Sequence, residues 1–133
     1  TPPETLKALQ KKIRIRLKEE RLLLEAMTHI SHAMERGDGL FNNERLEFLG
    51  DSVLNTSVTE FLFKRFPKDN EGRLSKLKSQ LVSRASLVEW AKELKLGQYI
   101  LMSASEENSG GRHRDSIMSN AVEALIGAIF LDL

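Results

Sequence analysis

The amino-acid sequence predicts an all-α fold, and three observations support this prediction. Leucine and isoleucine recur at three- and four-residue spacing along most of the chain, which is the period of one helix face. No segment alternates apolar and polar residues over the length of a strand. A chain of 133 residues with 41% hydrophobic content can bury one core and is too short for two ordinary domains. We therefore expect one helical domain over residues 1–133.

The first part of the chain is predicted to form two helices followed by a break. The apolar spacing places the first helix at roughly residues 4–17 and a second, shorter one at residues 19–29. Gly37 and Gly39 then interrupt the pattern, because glycine weakens helices and favours turns. We expect a loop around these two glycines.

A long helix is predicted next, and it holds the residues of greatest interest. Asn42 or Asn43 can cap its N-terminus, and Glu44 falls in the first turn, where the helix dipole favours a carboxylate. The apolar pattern continues to Phe66, and Pro67 cannot extend it.

Three further helices are predicted in the second half of the chain. Two cover residues 71–84 and 86–94, with Gly97 closing the second, and the last runs from residue 115 to the end. The polar segment 103–114 contains a pair of glycines, so we expect a loop or mobile flap there.

The composition narrows the possible functions. The absence of cysteine excludes disulfides and thiolate sites, so any metal is held by oxygen or imidazole, and we expect a cytoplasmic protein that uses Mg²⁺ or Mn²⁺. No apolar run approaches the roughly 18 residues needed to span a bilayer. We therefore expect no membrane partner.

Charge is segregated along the chain although the formal net charge is only +1. Acidic residues concentrate between residues 44 and 51 and at 106–107. The basic clusters are residues 11–18, Arg73 with Lys76 and Lys78, and residues 112–114. This distribution suits a polyanion held by metal ions over an acidic centre, and solvated helix faces are an equally good explanation of each basic cluster alone.

The long helix carries Glu44, Glu47 and Asp51 at positions i, i+3 and i+7, which places them on one face. Like charges on adjacent turns repel, so a bound cation would stabilise the arrangement. The alternative is a solvated acidic stripe. Apolar neighbours oppose that alternative, and so does Gly50, which costs about 1 kcal/mol in a helix and indicates close approach of another backbone or helix.

The last helix contains an anomaly, because Glu123 lies in the otherwise apolar run 121–130. A glutamate is almost never buried without a partner. If this helix packs against the long one, Glu123 and Asn120 join Glu47 and Asp51 in an oxygen-rich cage of the kind that hard divalent cations prefer.

The stretch 43–54, Asn-Glu-Arg-Leu-Glu-Phe-Leu-Gly-Asp-Ser-Val-Leu, resembles the signature of the ribonuclease III family. The stretches 9–12, 26–29, 71–75 and 122–127 also resemble family blocks, in the family's order. The resemblance implies an all-helical, two-fold homodimer that holds double-stranded RNA between its subunits, each of which cuts one strand. It further implies products with 5′-phosphates and short 3′ overhangs, and a role in processing or decay of rRNA or mRNA.

The resemblance also implies roles for the acids. Glu47, Asp51 and Glu123 match metal-binding carboxylates, and Glu44 matches an acid that organises the catalytic site. Most members have aspartate where this chain has Asn120, a neutral and weaker ligand. Three explanations stand: natural variation in an active enzyme, a substitution that traps an inactive form, or a member that binds RNA without cutting it. In the catalytic case, metal-held water attacks the phosphodiester in line.

Interface and RNA-binding roles follow from the same resemblance. Phe48 matches an aromatic residue that inserts into the partner subunit, with a place in its own core as the alternative. Glu71 matches a residue near the cleft at the dimer interface, and a plain helix N-terminal acid is the alternative. The candidates for contacts to the RNA backbone are Arg73, Lys76, Arg112 and Arg114.

The chain starts without methionine and stops within an apolar pattern, so we expect a piece of a longer polypeptide. The resemblance implies a separate double-stranded-RNA-binding domain after it, although compact members lack one. Two other functions stay open: a non-catalytic RNA-binding or ribosome-associated module, and a helical nucleotide pyrophosphohydrolase, which also arranges carboxylates around magnesium.

Overall fold

The computed structural model describes residues 3–133, with side chains from residue 5 onward, and it is all-α as predicted. The helices are α1 Pro3–Ile13, α2 Glu20–Ala26, α3 Ile30–Glu35, α4 Glu44–Arg65, α5 Glu71–Leu81, α6 Arg84–Glu93, α7 Ala104–Asn108 and α8 Asp115–Asp132. Two 3₁₀ turns cover Leu96–Tyr99 and Gly111–His113. Across the described part of the chain no helix has the length and apolar character needed to cross a membrane.

Helix α8 forms the centre of the molecule, with α2, α4 and α6 packed around it. Its side chains are apolar on almost every face, and Ala121, Ala124 and Ala128 are fully buried. Leu46 and Leu54 of α4 belong to the same core. Removal of this apolar surface from water is the main stabilising contribution to the fold.

Two glycines allow α4 and α8 to cross at very short distance. A Cβ atom on Gly50 would overlap the carbonyl oxygen of Glu123 and lie 2.6 Å from its carbonyl carbon. A Cβ atom on Gly127 would likewise overlap the carbonyl oxygen of Leu46. The close approach expected from Gly50 is therefore confirmed, and it brings short acidic side chains of the two helices within reach of each other.

Helix α1 ends at Ile13, four residues before the predicted end. Arg14 takes a left-handed conformation with φ of 59° and donates its N–H to Lys11 O at 3.3 Å. The next N–H, of Ile15, reaches back to Gln10 O at 3.2 Å, which completes a Schellman C-cap. The prediction was wrong here because glycine, the usual signal for this cap, is absent.

The second predicted helix, residues 19–29, is shorter in the structure, and a further helix, α3, follows it. Helix α3 begins after His29, whose Nδ1 accepts the N–H of Ser31 at 3.1 Å. Histidine is not one of the usual N-cap residues, so the sequence carried no standard start signal at this point.

Asn42 and Asn43, which precede α4, are both buried and have different roles at the start of the helix. Asn43 occupies the N-cap position, but its side chain donates to Ala26 O at 3.2 Å and makes no cap hydrogen bond. Asn42 Oδ1 instead accepts the N–H of Glu44 at 2.9 Å. The site helix is thereby fixed to the end of α2 before its first carboxylate.

The helix boundaries after α4 also differ from the prediction. Helix α5 ends at Leu81, because Ser83 Oγ accepts the N–H of Ser86 at 3.2 Å and starts α6. Helix α6 is followed by the left-handed residue Lys95, with φ of 51°, and not by a closing glycine at position 97.

Segment 103–114 is folded, so the prediction of a loop or flap was wrong for much of it. Ser103 Oγ accepts the N–H of Glu106 at 3.1 Å and caps α7. Arg112 donates to Gly97 O at 2.8 Å and to Ile100 O at 2.7 Å. Side-chain hydrogen bonds of this kind hold the segment to the body of the domain.

Candidate active site

Helix α4 presents Glu44, Glu47 and Asp51 along one side, as their spacing requires. Glu44 and Asp51 are exposed, and Glu47 is half-buried. The adjacent side of the helix, with Leu46 and Gly50, is buried against α8. The three acids therefore lie at the edge of the α4–α8 contact.

Helix α8 brings a fourth acid to this edge. The backbone of Glu123 touches Gly50, and its half-buried side chain lies within hydrogen-bonding reach of Asp51. Glu47 is close enough for its charge to act on Glu123. The structure thus brings together carboxylates separated by more than 70 positions in the sequence.

Like charges and burial disturb the ionisation of this cluster. Burial raises the pKa of Glu123 to about 8, with further contributions from the hydrogen bond to Asp51 and from the charges of Asp51 and Glu47. Burial also raises the pKa of Glu47, assisted by Glu44 and Asp51. At neutral pH and without a cation, Glu123 therefore carries a proton.

Two neighbours of the cluster were missed by the sequence analysis. Arg84, the first residue of α6, lies close enough for its charge to oppose the rise in the pKa of Glu123. Asn55 donates from Nδ2 to Asp51 O at 2.7 Å and to Asp51 Oδ1 at 3.4 Å. The i, i+4 spacing of Asp51 and Asn55 could have revealed the second contact, but no local pattern connects α6 with α8.

The donor set suits a hard divalent cation, although it is not preassembled. Among the residues that the structure describes, no three His, Cys, Asp or Glu side chains already surround a common metal position. The core of the cluster is the pair Asp51 and Glu123, with Glu47 beside it and Asn120 one turn earlier on α8. All four supply oxygen, the ligand atom that Mg²⁺ and Mn²⁺ prefer, and a cation would relieve the repulsion between Glu123 and the acids of α4. Ligation by all four requires side-chain movement.

The two predicted interface residues lie on the surface of the chain. Phe48 is 80% exposed, so the alternative that it fills the core of its own subunit is wrong. Glu71 is exposed in the first turn of α5, a helix that buries none of its residues. Exposed aromatic and aliphatic side chains, among them Phe63 and Leu81, accompany them on α4 and α5.

The four predicted RNA-binding residues have different environments. Arg73 and Lys76 are exposed on α5. Arg112 donates to two backbone carbonyls and pairs with Glu107 at 2.8 Å, while Arg114 pairs with Glu106. Arg73 and Lys76 form no ion pair among the residues that the structure describes, and the arginines at 112 and 114 stabilise their own segment.

Comparison with known protein sequences identifies the relatives of this chain. Residues 19–133 match the family described as Ribonuclease-III-like. The chain is 52% identical to ribonuclease 3 of Oleidesulfovibrio alaskensis over 124 residues, which cover 93% of this chain and 54% of that protein. It is 46% identical to ribonuclease 3 of Campylobacter jejuni over 129 residues, 97% of this chain and 55% of that protein. The chain thus spans about half the length of these relatives.

Solved structures agree with this comparison. The nuclease domain of ribonuclease III from C. jejuni, described for flexibility in a region involved in dimer formation, superimposes with a TM-score of 0.89 at 47% identity. The superposition covers 96% of this chain and 85% of that one. Dicer from Pichia stipitis superimposes with a TM-score of 0.63 at 30% identity, over 87% of this chain and 46% of that one.

Proposed function

This chain belongs to the ribonuclease III-like family, and on that premise we propose that it is the nuclease domain of a divalent-metal-dependent endoribonuclease that cuts both strands of double-stranded RNA. The observation that carries the proposal is the meeting of Asp51 and Glu123 at the crossing of α4 and α8. The products are double-stranded fragments with 5′-phosphates and short 3′ overhangs, made during RNA processing.

The acidic cluster provides the ligands for the metal. Glu47, Asp51 and Glu123 would hold it, and Asn120 would add a neutral oxygen. The chemistry that Mg²⁺, or Mn²⁺ in its place, would supply here is activation of water for attack and stabilisation of charge on the leaving 3′ oxygen. Glu44 helps to organise this cluster, since its charge acts on Glu47.

Proton release accompanies metal binding in this mechanism. Because Glu123 has a pKa of about 8 without a cation, it must lose its proton before its carboxylate can ligate. Metal affinity therefore rises with pH up to about 8. The hydrogen bond to Asp51 opposes the loss of that proton from Glu123 and the charge of Arg84 favours it, so both residues influence metal binding.

The active form is a two-fold homodimer with one site in each subunit. Phe48 is one of several strongly exposed aromatic side chains on the site helix, together with Phe61 and Phe63, and such a set favours contact with another molecule. Helix α5, which starts at Glu71 and buries none of its residues, is a second exposed element that a partner subunit would cover. A related C. jejuni nuclease domain has a region involved in dimer formation, which supports the same assembly here.

Cleavage of an end-labelled RNA duplex tests the proposal. We expect cutting of both strands with Mg²⁺ or Mn²⁺, and at least a hundredfold loss in Glu123→Gln, of the order expected when a metal-site group is lost. Glu60→Gln is a matched control, because Glu60 is an exposed acid of the same helix, more than two turns beyond Asp51.

Asn120 favours a second candidate, a module that binds duplex RNA without cutting it. In that case the wild-type protein binds the duplex and leaves it intact with either metal. Asn120→Asp restores a charged ligand, so cleavage gained only in this variant would establish the non-catalytic function. Cleavage by the wild-type protein would exclude it.

A further inference from the structure

Within the described residues, two side-chain-bearing positions have a left-handed backbone, and both carry a positive charge. Arg14 directly follows α1 and has φ of 59°, and Lys95 follows α6 and has φ of 51°. Glycine takes this conformation without the steric cost that a Cβ atom brings. Helix termination by itself would favour glycine or asparagine at both positions.

The two helix ends are in direct contact. Lys12, at the end of α1, donates from Nζ to Leu94 O at 3.1 Å, and its ammonium group lies 5.1 Å from the centre of the Tyr99 ring. Leu94 immediately precedes Lys95. The left-handed turns after α1 and after α6 therefore belong to one region of the surface.

A basic groove lies beside the first turn. Its volume is about 460 Å³, and its lining includes Lys7, Lys11, Arg14 and Arg16 with a single acid, Glu20. All four cations are exposed, and none forms an ion pair among the residues that the structure describes.

A second groove of about 310 Å³ lies beside the turn after α6 and includes Lys92, Lys95 and His113 in its lining. Lys92 and Lys95 are exposed and likewise unpaired in the described part of the chain. We call Lys7, Lys11, Arg14, Arg16, Lys92 and Lys95 together the basic turns.

The helix dipole explains only part of this charge. Lysines in the last turn of a helix are stabilised by its negative end, which accounts for Lys11 and Lys92. Lys7 lies near the middle of α1, and Arg16 lies beyond its end. Since the whole chain has a formal net charge of +1, this cluster leaves the remaining surface net negative. A concentrated, unpaired positive region on such a molecule is suited to an anionic partner.

We infer that the basic turns contact the phosphate backbone of the RNA at a position separate from the acidic cluster. This inference rests on the proposed function for the identity of the ligand. The segment after α1 is fixed to the far end of α8, where Lys18 N and Glu19 N each donate to Asp132 at 2.9 Å. Asp132 lies nine residues beyond Glu123, about 14 Å along the helix. Phosphate contacts there would position a long duplex without reading its sequence.

The two left-handed positions allow a substitution that removes positive charge without changing the backbone conformation. Arg14→Gly/Lys95→Gly eliminates two cations where glycine suits the observed φ, so the melting temperature should stay the same or rise. We expect the variant to bind a long labelled duplex roughly tenfold more weakly at about 0.1 M salt, with the slope of log Kd against log salt reduced by about two. Fluorescence anisotropy in EDTA measures binding without cleavage.

A charge-matched control separates a local contact from a general effect of net charge. Arg36→Gln/Lys68→Gln removes two exposed cations outside the basic turns and should leave the affinity and the slope unchanged. An unchanged slope in the glycine variant, or equal losses in both variants, would overturn the inference. The inference would also be overturned if the glycine variant bound phosphatidylserine vesicles more weakly than the wild-type protein but bound duplex RNA equally well. That result would indicate a membrane as the partner of the basic turns.

The same experiment distinguishes failure of this inference from failure of the proposed function. If the wild-type protein binds the duplex in EDTA but does not cut it with Mg²⁺ or Mn²⁺, the endonuclease proposal is contradicted. In that case the inference is still tested by the slopes of log Kd against log salt for the two variants, because binding is measured without metal. If the wild-type protein does not bind duplex RNA at all, both proposals are overturned.

Discussion

Helices α8 and α5 both pack against α4, but they do so in opposite ways. Helix α8 is buried along most of its length and touches α4 backbone to backbone at Gly50 and Gly127. Helix α5 buries none of its residues and leaves Leu81 exposed at its end. The contact with α8 is tight enough to hold acids together against their mutual repulsion. The contact with α5 leaves a surface suited to another subunit or to RNA.

The two contacts should differ most in how much the free energy of unfolding changes when a glycine is replaced by alanine. Gly50→Ala forces a Cβ atom into the backbone of Glu123, so we expect a loss of about 3 kcal/mol in the free energy of unfolding. Gly72→Ala on α5 meets only Asn70 Oδ1, at 3.6 Å, and should be neutral or stabilising by about 0.5 kcal/mol. Urea unfolding measures both changes. Similar values for the two variants would show that the crossing is not tight.

A smaller contrast is expected from side-chain truncation. Leu125→Ala on α8 removes a buried side chain and should cost about 2.5 kcal/mol. Leu81→Ala at the end of α5 removes a side chain that is 38% exposed, so its cost should stay below about 1 kcal/mol in the monomer. Unfolding at low protein concentration excludes a contribution from assembly. A large loss in the Leu81 variant would mean that α5 is better packed than its exposure indicates.

The pH dependence of stability tests the charge held at the α8 contact. The pKa of Glu123 rises from its usual 4.5 to about 8 on folding, so its protonated form is favoured in the folded state. Stability from this group is complete below pH 4.5 and is lost as the pH rises to about 8. We therefore expect the melting temperature of the metal-free protein to fall across this range, and less so in Glu123→Gln.

Other titratable groups also make stability depend on pH, and comparison of the wild-type protein with Glu123→Gln separates the contribution of Glu123 from theirs. Burial lowers the pKa of His29, so that residue contributes stability that increases with pH in both proteins. Added Mg²⁺ should offset the loss at high pH in the wild-type protein. Parallel pH curves for the two proteins would contradict the raised pKa of Glu123.

The smallest effect on monomer stability is expected from substitution of Phe48, an exposed residue of α4. Phe48→Ala removes a side chain that is 80% exposed, so unfolding of the monomer should change by less than about 0.5 kcal/mol. The dimer should dissociate at a much higher Kd, because a large aromatic side chain buried at an interface contributes strongly to affinity. Analytical ultracentrifugation measures this change. Unaltered association would remove Phe48 from the interface.

Several helix ends lay outside what the sequence could predict, for a common physical reason. The ends at Arg14 and His29 depend on residues that are not typical caps, and Asn43 turns to Ala26 and leaves the cap hydrogen bond to Asn42. Arg112 fixes a segment whose polarity and glycines favoured a loop. In each case a tertiary contact or a local hydrogen bond outweighed intrinsic preference.

By itself, the sequence determined the all-helical class, the common face of Glu47 and Asp51 and the need for close contact at Gly50, because helix periodicity and glycine sterics act over a few residues. Only the tertiary structure decided that Glu123 meets Asp51, that Arg84 lies near them and that the turns at Arg14 and Lys95 share one surface. These contacts join residues far apart along the chain, and their geometry is set by the packing of whole helices in the common core.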